Sequence, residues 1–298
     1  MTAPDFLQAF DGAVLPDEPL AKHTTFRVGG ASDWFLVPNN ADALVSAYLS
    51  CAEQGIPAFL LGMGSNVLFG DRGFRGVVLS TERLTSIRLH NDTQVYAEAG
   101  ASLKDVCVFA RDNGLSGLEF ACGIPGSIGG AVYMNAGAYD GEMKNCVYAV
   151  SVLRADGSQI EISQCDMDFG YRTSLVQREG GIILGAVFQL ERGDKDKIAL
   201  KMSELDTSRA AKQPLELPSA GSTFKRPEGY FAGKLIMDAG LRGFSVGGAR
   251  VSEKHCGFVV NTGNATAADI LNLIEHVRQT VHAQFGVWLE PEIRLIGE

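Results

Sequence analysis

Two glycine-rich turns carry the residues best suited to holding an anion. The segment 123–139, GIPGSIGGAVYMNAGAY, packs five glycines and a proline around an apolar thread of Ile, Val, Tyr and Met. Glycine gives up more conformational freedom on folding than any other residue. Such density therefore belongs where φ must be positive, or where main-chain N–H groups approach a ligand with no Cβ between them. Taken alone, the stretch reads equally as two tight turns around a short buried helix. The other turn, Gly62-Met63-Gly64-Ser65-Asn66, interrupts an apolar run from Phe59 to Phe69. Gly62 and Gly64 begin a dinucleotide fingerprint, but Val67 stands where the third glycine belongs and no helical pattern follows. Gly233-Lys234 is no P-loop either, since Glu228 takes the place of its first glycine and Leu235 follows the lysine. Two glycine turns of neither common type point to one pyrophosphate held from two sides.

Further along stand side chains suited to acid, base and anion chemistry. Arg172, in Phe169-Gly170-Tyr171-Arg172-Thr173-Ser174, offers a planar, permanently charged fork for a carboxylate, or else is a surface arginine at a strand entry. Ser222 follows Gly221 in a turn bracketed by Pro218 and Pro227 and is followed by Lys225 and Arg226. No G-x-S-x-G elbow surrounds it, so it suits proton donation better than nucleophilic attack; an ordinary turn serine has the same look. Arg209 and Lys212 lie at i and i+3 and could clamp phosphates, although solvated pairs of this kind are common. Glu292, in Leu289-Glu290-Pro291-Glu292-Ile293-Arg294, sits in a closing strand and becomes informative only in combination.

The composition narrows the classes of function. The chain has 298 residues, enough for two or three small domains, and no apolar run near the roughly twenty residues of a membrane span. Its N-terminus, MTAPDFLQAFDGAVLP, lacks the basic and apolar regions of a signal peptide, so a cytoplasmic setting is expected. Six dispersed cysteines without a C-x-x-C pair, and five scattered histidines, predict reduced thiols and no metal site. A formal charge of −9 argues against nucleic-acid binding.

These residues need elements to position them. Strands are predicted at Thr25–Val28 and Trp34–Val37, and a helix at Ala41–Gln54, capped by Asn40 and ended by Gly55. A strand at Ala58–Leu61 enters the first glycine turn and another, Gly76–Leu79, follows it. From Glu82 to about Glu191 strands dominate, with a hairpin turn at Asp156-Gly157 and a helix over Ser102–Asp112 stopped by Asn113-Gly114. A charged run at Gly193–Lys197 leads into a polar helix over Ile198–Ala211, and a domain boundary is placed there. Helices at Phe231–Ala239 and Ala267–Phe285, with strands at Phe258–Val260 and Glu292–Ile296, complete the chain. The expected domains are 1–81, 82–192 and 193–298, with both glycine turns serving the seam between the first two.

With these five motifs in order, the chain from about Leu20 onward resembles the UDP-N-acetylenolpyruvoylglucosamine reductases, in their shorter type without an inserted substrate-covering loop. The resemblance implies an α+β chain: a two-layer FAD-binding domain of the vanillyl-alcohol-oxidase type in two subdomains, plus a C-terminal α/β substrate domain. It implies non-covalent FAD, NADPH as hydride donor, and UDP-N-acetylglucosamine enolpyruvate as the small-molecule substrate reduced for bacterial peptidoglycan. Carried over by motif, Ser222, Arg172 and Glu292 are catalytic. Gly62, Gly64, Ser65 and Asn66 face the cofactor from one side, and Gly123, Pro125, Gly126, Ser127, Ile128, Gly129 and Gly130 from the other. Tyr139, Arg209, Lys212 and Lys225 fall on the substrate side, and Arg226 replaces an asparagine of the longer type. No nucleic-acid or membrane partner is implied, and a monomer or weak oligomer is expected. Two rival readings are an FAD-dependent oxidase of the same fold acting on an alcohol or lactone, and a nucleotide-sugar-binding regulator without catalysis.

Overall fold

The computed structural model describes residues 3–298; Met1 and Thr2, where the leader reading begins, lie outside the described residues. Compactness divides the chain into two units, each assembled from separated segments. The first comprises residues up to Leu15 with Phe35–Met63 and Val77–Arg209, the second Pro16–Trp34, Gly64–Gly76 and Ala210–Glu298. The chain passes from one unit to the other within three of its strands, within the first glycine turn, and within the last turn of the helix Lys195–Lys212.

The first unit is built on a five-stranded antiparallel sheet in the order Gln159–Ser163, Val147–Leu153, Ile182–Gln189, Gln94–Glu98, Ile87–Leu89. Ile182–Gln189 is buried along seven of its eight residues, as expected of a central strand in an apolar run. The predicted hairpin turn is present, with Gly157 at φ +83° supplying the left-handed step. Val95, Ala97, Val150, Val152, Ile183 and Phe188 form a core with Val106 and Ala110 of the helix Leu103–Asp112 and with Ile128 and Val132 of the helix Ile128–Tyr133. The predicted stop of the Leu103–Asp112 helix holds, with Gly114 turning at φ +66°, while Ser102, read from the sequence as the first helical residue, is its N-cap, its Oγ accepting from Asp105 N at 3.0 Å. Ala41–Glu53 is likewise helical, with Asn40 Oδ1 accepting from Ala43 N at 2.8 Å. Ala58–Leu61 runs parallel to the end of the strand Phe74–Ser80 and delivers the chain to Gly62.

In the second unit the helix Ala267–Phe285 presents Ile270, Leu273, Ile274, Val277 and Val281 to a core shared with Phe26, Leu68, Phe224 and Ile236. Its start is heavily satisfied: Thr266 and Asp269 form a capping box, and the Asp71 carboxylate accepts from Ala267 N and Ala268 N at 2.7 and 2.9 Å. Gly286 ends it at φ +70°. A three-stranded antiparallel sheet, Ser245–Val246, Ala249–Val251 and Val259–Asn261, and a parallel pair of Arg294–Ile296 with Val67–Phe69 complete the unit.

Two predicted strands are different elements. Thr25–Val28 is a buried turn, since Arg27 adopts φ +56°, Arg27 N bonds back to Thr24 O, and Thr25 N donates to Gly64 O. Its apolar alternation, with Phe26 and Val28 buried, reflects core packing without a ladder. The last strand begins at Arg294 and not at Glu292, because Phe224 pairs with Pro291 and Glu292 N is taken by Thr223 O.

Candidate active site

In the first unit the two glycine turns meet at Gly62 and Ser127. A Cβ on Gly62 would stand 2.3 Å from Ser127 Oγ, so only glycine fits there without moving the serine. Ser127 is 2% exposed, and its hydroxyl has no hydrogen-bond partner among the described residues. A buried hydroxyl left unpaired is costly, which marks this point as one that a polar ligand completes. Three backbone bonds, Leu103 N to Gly126 O, Ile128 N to Ala101 O and Gly129 N to Ala99 O, rivet the second turn to residues 99–103. The amides of Ile128 and Gly129 are thus already spent inside the protein. What those two residues contribute is shape, since a Cβ on Gly129 would lie 3.0 Å from that of Ala99. Two glycine turns in close approach around an unsatisfied hydroxyl suit the pyrophosphate of a dinucleotide cofactor.

Gly123, where the second turn begins, packs on the helix Lys195–Lys212; a Cβ there would stand 2.6 Å from Asp206 Oδ1 and 2.8 Å from Arg209 Nε. The Arg209 guanidinium lies 5.9 Å from the centre of the Tyr139 ring, and Tyr139 OH donates to Leu205 O at 2.7 Å. Beside them Cys122 Sγ contacts Asp206 Oδ1 at 3.3 Å. Burial, helped by that carboxylate, pushes the thiol up to about 11, leaving Cys122 a packing residue.

Arg172 occupies a two-residue turn closed by Gly170 N to Thr173 O and Thr173 N to Gly170 O. Its φ is +56°, a region that favours glycine, so the chain spends backbone energy to keep a guanidinium there. Arg172 Nη2 donates to Gly137 O at 3.3 Å, and the guanidinium lies 5.0 Å from the Tyr171 ring centre. Arg178 holds the turn from behind, donating to Thr173 Oγ1 and Asp168 O at 3.2 and 2.9 Å. Tyr139, at φ +55°, tips the short hairpin Gly137–Ala138/Gly141–Glu142. Tyr139, Arg172 and Arg209 are therefore gathered around one hairpin, an association their sequence positions did not announce.

The second unit holds the remaining candidates. Gly64, at φ +62°, would drive a Cβ to 2.2 Å from His23 O. Asn66 Nδ2 donates to Glu292 O at 3.2 Å, while Asn66 O accepts from Arg294 N at 3.1 Å. Glu292 N donates to Thr223 O and Lys225 N to Glu290 O, both at 2.9 Å, so the Ser222 segment runs alongside the Glu292 segment. Thr223 is fully buried and anchored through its N to Gly257 O and through Oγ1, which accepts from Val259 N. Ser222 stands exposed just before this anchor, after Gly221 at φ +73°. Lys225 Nζ pairs with Glu290, and Arg226 lies 4.0 Å from the Phe231 ring centre. Lys212 is exposed at the end of its helix. Sequence reasoning missed Ser127 as a buried unsatisfied group and missed the Arg178 brace. The left-handed backbone at Arg172, shared with Arg27, Asn135 and Tyr139, is likewise invisible in the sequence.

Among the described residues no helix is long and apolar enough to cross a membrane, and no group of three or more His, Cys, Asp or Glu side chains could hold a metal ion.

Comparison with known proteins gives the site its context. Residues 32–163 match the FAD binding domain family model, and residues 213–296 match the C-terminal domain of UDP-N-acetylenolpyruvoylglucosamine reductase. A UDP-N-acetylenolpyruvoylglucosamine reductase of Lachnoclostridium phytofermentans is 50% identical over 286 residues, covering 95% of this chain and 92% of that protein. One of Clostridium botulinum strain Alaska E43 is 52% identical over 288 residues, covering 97% and 94%. The crystal structure of UDP-N-acetylenolpyruvylglucosamine reductase from Thermus caldophilus superposes with a TM-score of 0.82 at 34% identity, covering 96% of this chain and 98% of that one. An alkyldihydroxyacetonephosphate synthase shares the fold over 64% of this chain, with a TM-score of 0.50 at 16% identity. The expected α+β fold, an FAD-binding domain followed by a substrate domain, is borne out. With glycine turns shaped for a dinucleotide and near-complete coverage at about half identity, the chain belongs to the UDP-N-acetylenolpyruvoylglucosamine reductase family and is an FAD-dependent oxidoreductase.

Proposed function

We propose that Ser222, Arg172 and Glu292 carry out the family's reduction of UDP-N-acetylglucosamine enolpyruvate to UDP-N-acetylmuramate. The observation that carries this reading is the cost the chain accepts at Arg172: a guanidinium in a left-handed turn, braced on Gly137 O and from behind by Arg178. FAD, when bound, would supply two-electron hydride chemistry between NADPH and the β-carbon of the enol ether. Arg172 binds the substrate carboxylate and meets the negative charge that builds on it and on the α-carbon, the kind of fixed donor that supplies a large share of catalysis. Ser222 Oγ–H then delivers the proton to the α-carbon, so that hydride and proton together saturate the double bond. Glu292 is held by its main chain between Asn66 and Thr223, and it acts with Ser222 in that proton delivery.

Gly62, Gly64, Ser65 and Asn66, with Gly123, Pro125, Gly126, Ser127, Ile128, Gly129 and Gly130, are the FAD-binding residues of this reading. Ser127 offers the FAD pyrophosphate its unpaired hydroxyl, and Ile128 and Gly129, their amides spent on Ala101 and Ala99, contribute shape. Tyr139, Arg209, Lys212 and Lys225 bind the substrate, Arg209 and Lys212 at its diphosphate. By role, residues 1–81 and 82–192 hold the cofactor and 193–298 the substrate. The protein works in the bacterial cytoplasm as a monomer or weak oligomer.

Ser222→Ala tests the assignment. Flavin reduction by NADPH stays at the wild-type rate, whereas reoxidation by the enolpyruvyl substrate slows by about 10²–10⁴-fold, the usual range for a lost general acid. Stopped-flow absorbance resolves the two half-reactions. Wild-type rates in both would remove Ser222 from the mechanism.

A further inference from the structure

We propose that Asn135, in the same segment as the second glycine turn, is a positioning residue that sets the Arg172 guanidinium against the substrate carboxylate; this rests on the catalytic reading of Arg172 given above. Asn135 is fully buried and adopts φ +42°, a left-handed conformation that glycine and asparagine tolerate best. Its amide is almost fully used: Nδ2 donates to Glu142 Oε2 at 2.7 Å and to Gly170 O at 2.9 Å, while Oδ1 accepts from Lys144 N at 2.9 Å.

Those partners close a ring. Gly170 O is the carbonyl that also accepts from Thr173 N and so shuts the turn bearing Arg172. Arg172 Nη2 reaches Gly137 O, and Gly137 is the register partner of Glu142, the carboxylate that Asn135 holds from the other side. Glu142 is itself fixed by Lys144 Nζ at 2.5 Å and through its N–H to Asn145 Oδ1 at 3.0 Å. One buried amide therefore staples the turn whose tip is Arg172 to the hairpin whose tip is Tyr139. No other side chain fits the three demands. Aspartate has no N–H for Glu142 or Gly170 and sets two carboxylates face to face; glycine keeps the backbone and drops every bond; longer or branched residues resist the positive φ.

The test is a double-mutant cycle on the FAD-loaded protein with Asn135→Gly, Arg172→Ala and the pair. In Asn135→Gly, FAD affinity and flavin reduction by NADPH change by no more than about twofold, as expected of a residue that bonds to none of the residues assigned to the cofactor. Reoxidation by the enolpyruvyl substrate slows by about 10- to 100-fold, the cost of a guanidinium displaced by something near an ångström. Equilibrium binding of UDP-N-acetylmuramate to the oxidised protein weakens in parallel. On the Arg172→Ala background Asn135→Gly changes neither quantity further. Equal slowing by Asn135→Gly in both backgrounds, or no slowing in either, overturns the positioning role and leaves that of Arg172 standing. Unchanged reoxidation in Arg172→Ala itself sinks the catalytic reading and this proposal with it. Should Asn135→Gly fail to fold, Asn135→Asp goes through the same cycle, because it keeps the volume, the backbone preference and the acceptor for Lys144 N.

Discussion

At Gly62 there is room for a hydrogen and nothing larger unless Ser127 gives way. Because the atom in the way is a hydroxyl at the end of a short rotor, the displacement is cheap for folding and expensive for whatever that hydroxyl binds. Gly62→Ala is therefore expected to keep its melting temperature and to bind FAD about tenfold or more weakly, the loss of one hydrogen bond to a charged group. Ser127→Ala loses the same contact, so the two changes combined cost no more than either alone. Titration of apoprotein with FAD, followed by flavin fluorescence, measures all three, and simple additivity would show that Gly62 and Ser127 act separately. The interaction is absent from the primary sequence in any readable sense. Gly62 and Ser127 are each plausible turn residues, and only folding makes one the wall of the other.

At the level of elements, most helices are legible because their signals are local. Asn40 and Asn113-Gly114 cap the elements they were expected to cap, and Ser102, read as the first helical residue, caps from one step outside, since a side-chain oxygen three residues from an amide finds it whatever the rest of the chain does. Thr25–Val28 misleads for the opposite reason: its alternation is real, but its backbone partner is Gly64, a residue 39 positions from Thr25. The Arg172 turn allows a direct test of stored strain. Alanine at position 172 retains the left-handed penalty of about 1–2 kcal/mol that glycine escapes. Arg172→Gly is therefore expected to be more stable than Arg172→Ala by about 1 kcal/mol in urea titrations, after allowance for the greater freedom glycine has when unfolded. The reverse order would mean that the turn relaxes once the arginine is gone. Neither variant is expected to reoxidise its flavin at the wild-type rate.

Across the whole molecule, His255 supplies a handle on acid stability. Burial holds its imidazole below the ordinary histidine range, and Nδ1 accepts from Gly257 N at 3.2 Å, which fixes the neutral tautomer beside the Ser222 anchor. A histidine with its folded pKa depressed binds fewer protons folded than unfolded. It contributes stability that is complete above the unfolded value and is lost as pH falls through the folded one. His255→Asn, which keeps an acceptor for Gly257 N, is expected to melt with a shallower decline below about pH 6.5, the unperturbed histidine value. Parallel melting curves of the two proteins between neutral and acid pH would refute this.

What the sequence determined by itself is what lies within a few residues: the caps, the apolar faces of the helices, the glycine turns, and the motifs that mark an FAD-dependent reductase. Tertiary structure alone decided which parts form one compact unit, that Lys225 answers Glu290, that the amides of Ile128 and Gly129 are spent on residues 99–103, and that Asn135 ties Tyr139 to Arg172. The reason is physical. A cap or a turn is set by bonds between near neighbours, whereas these contacts join residues up to 65 positions apart, and their partners are chosen by packing that no local pattern records.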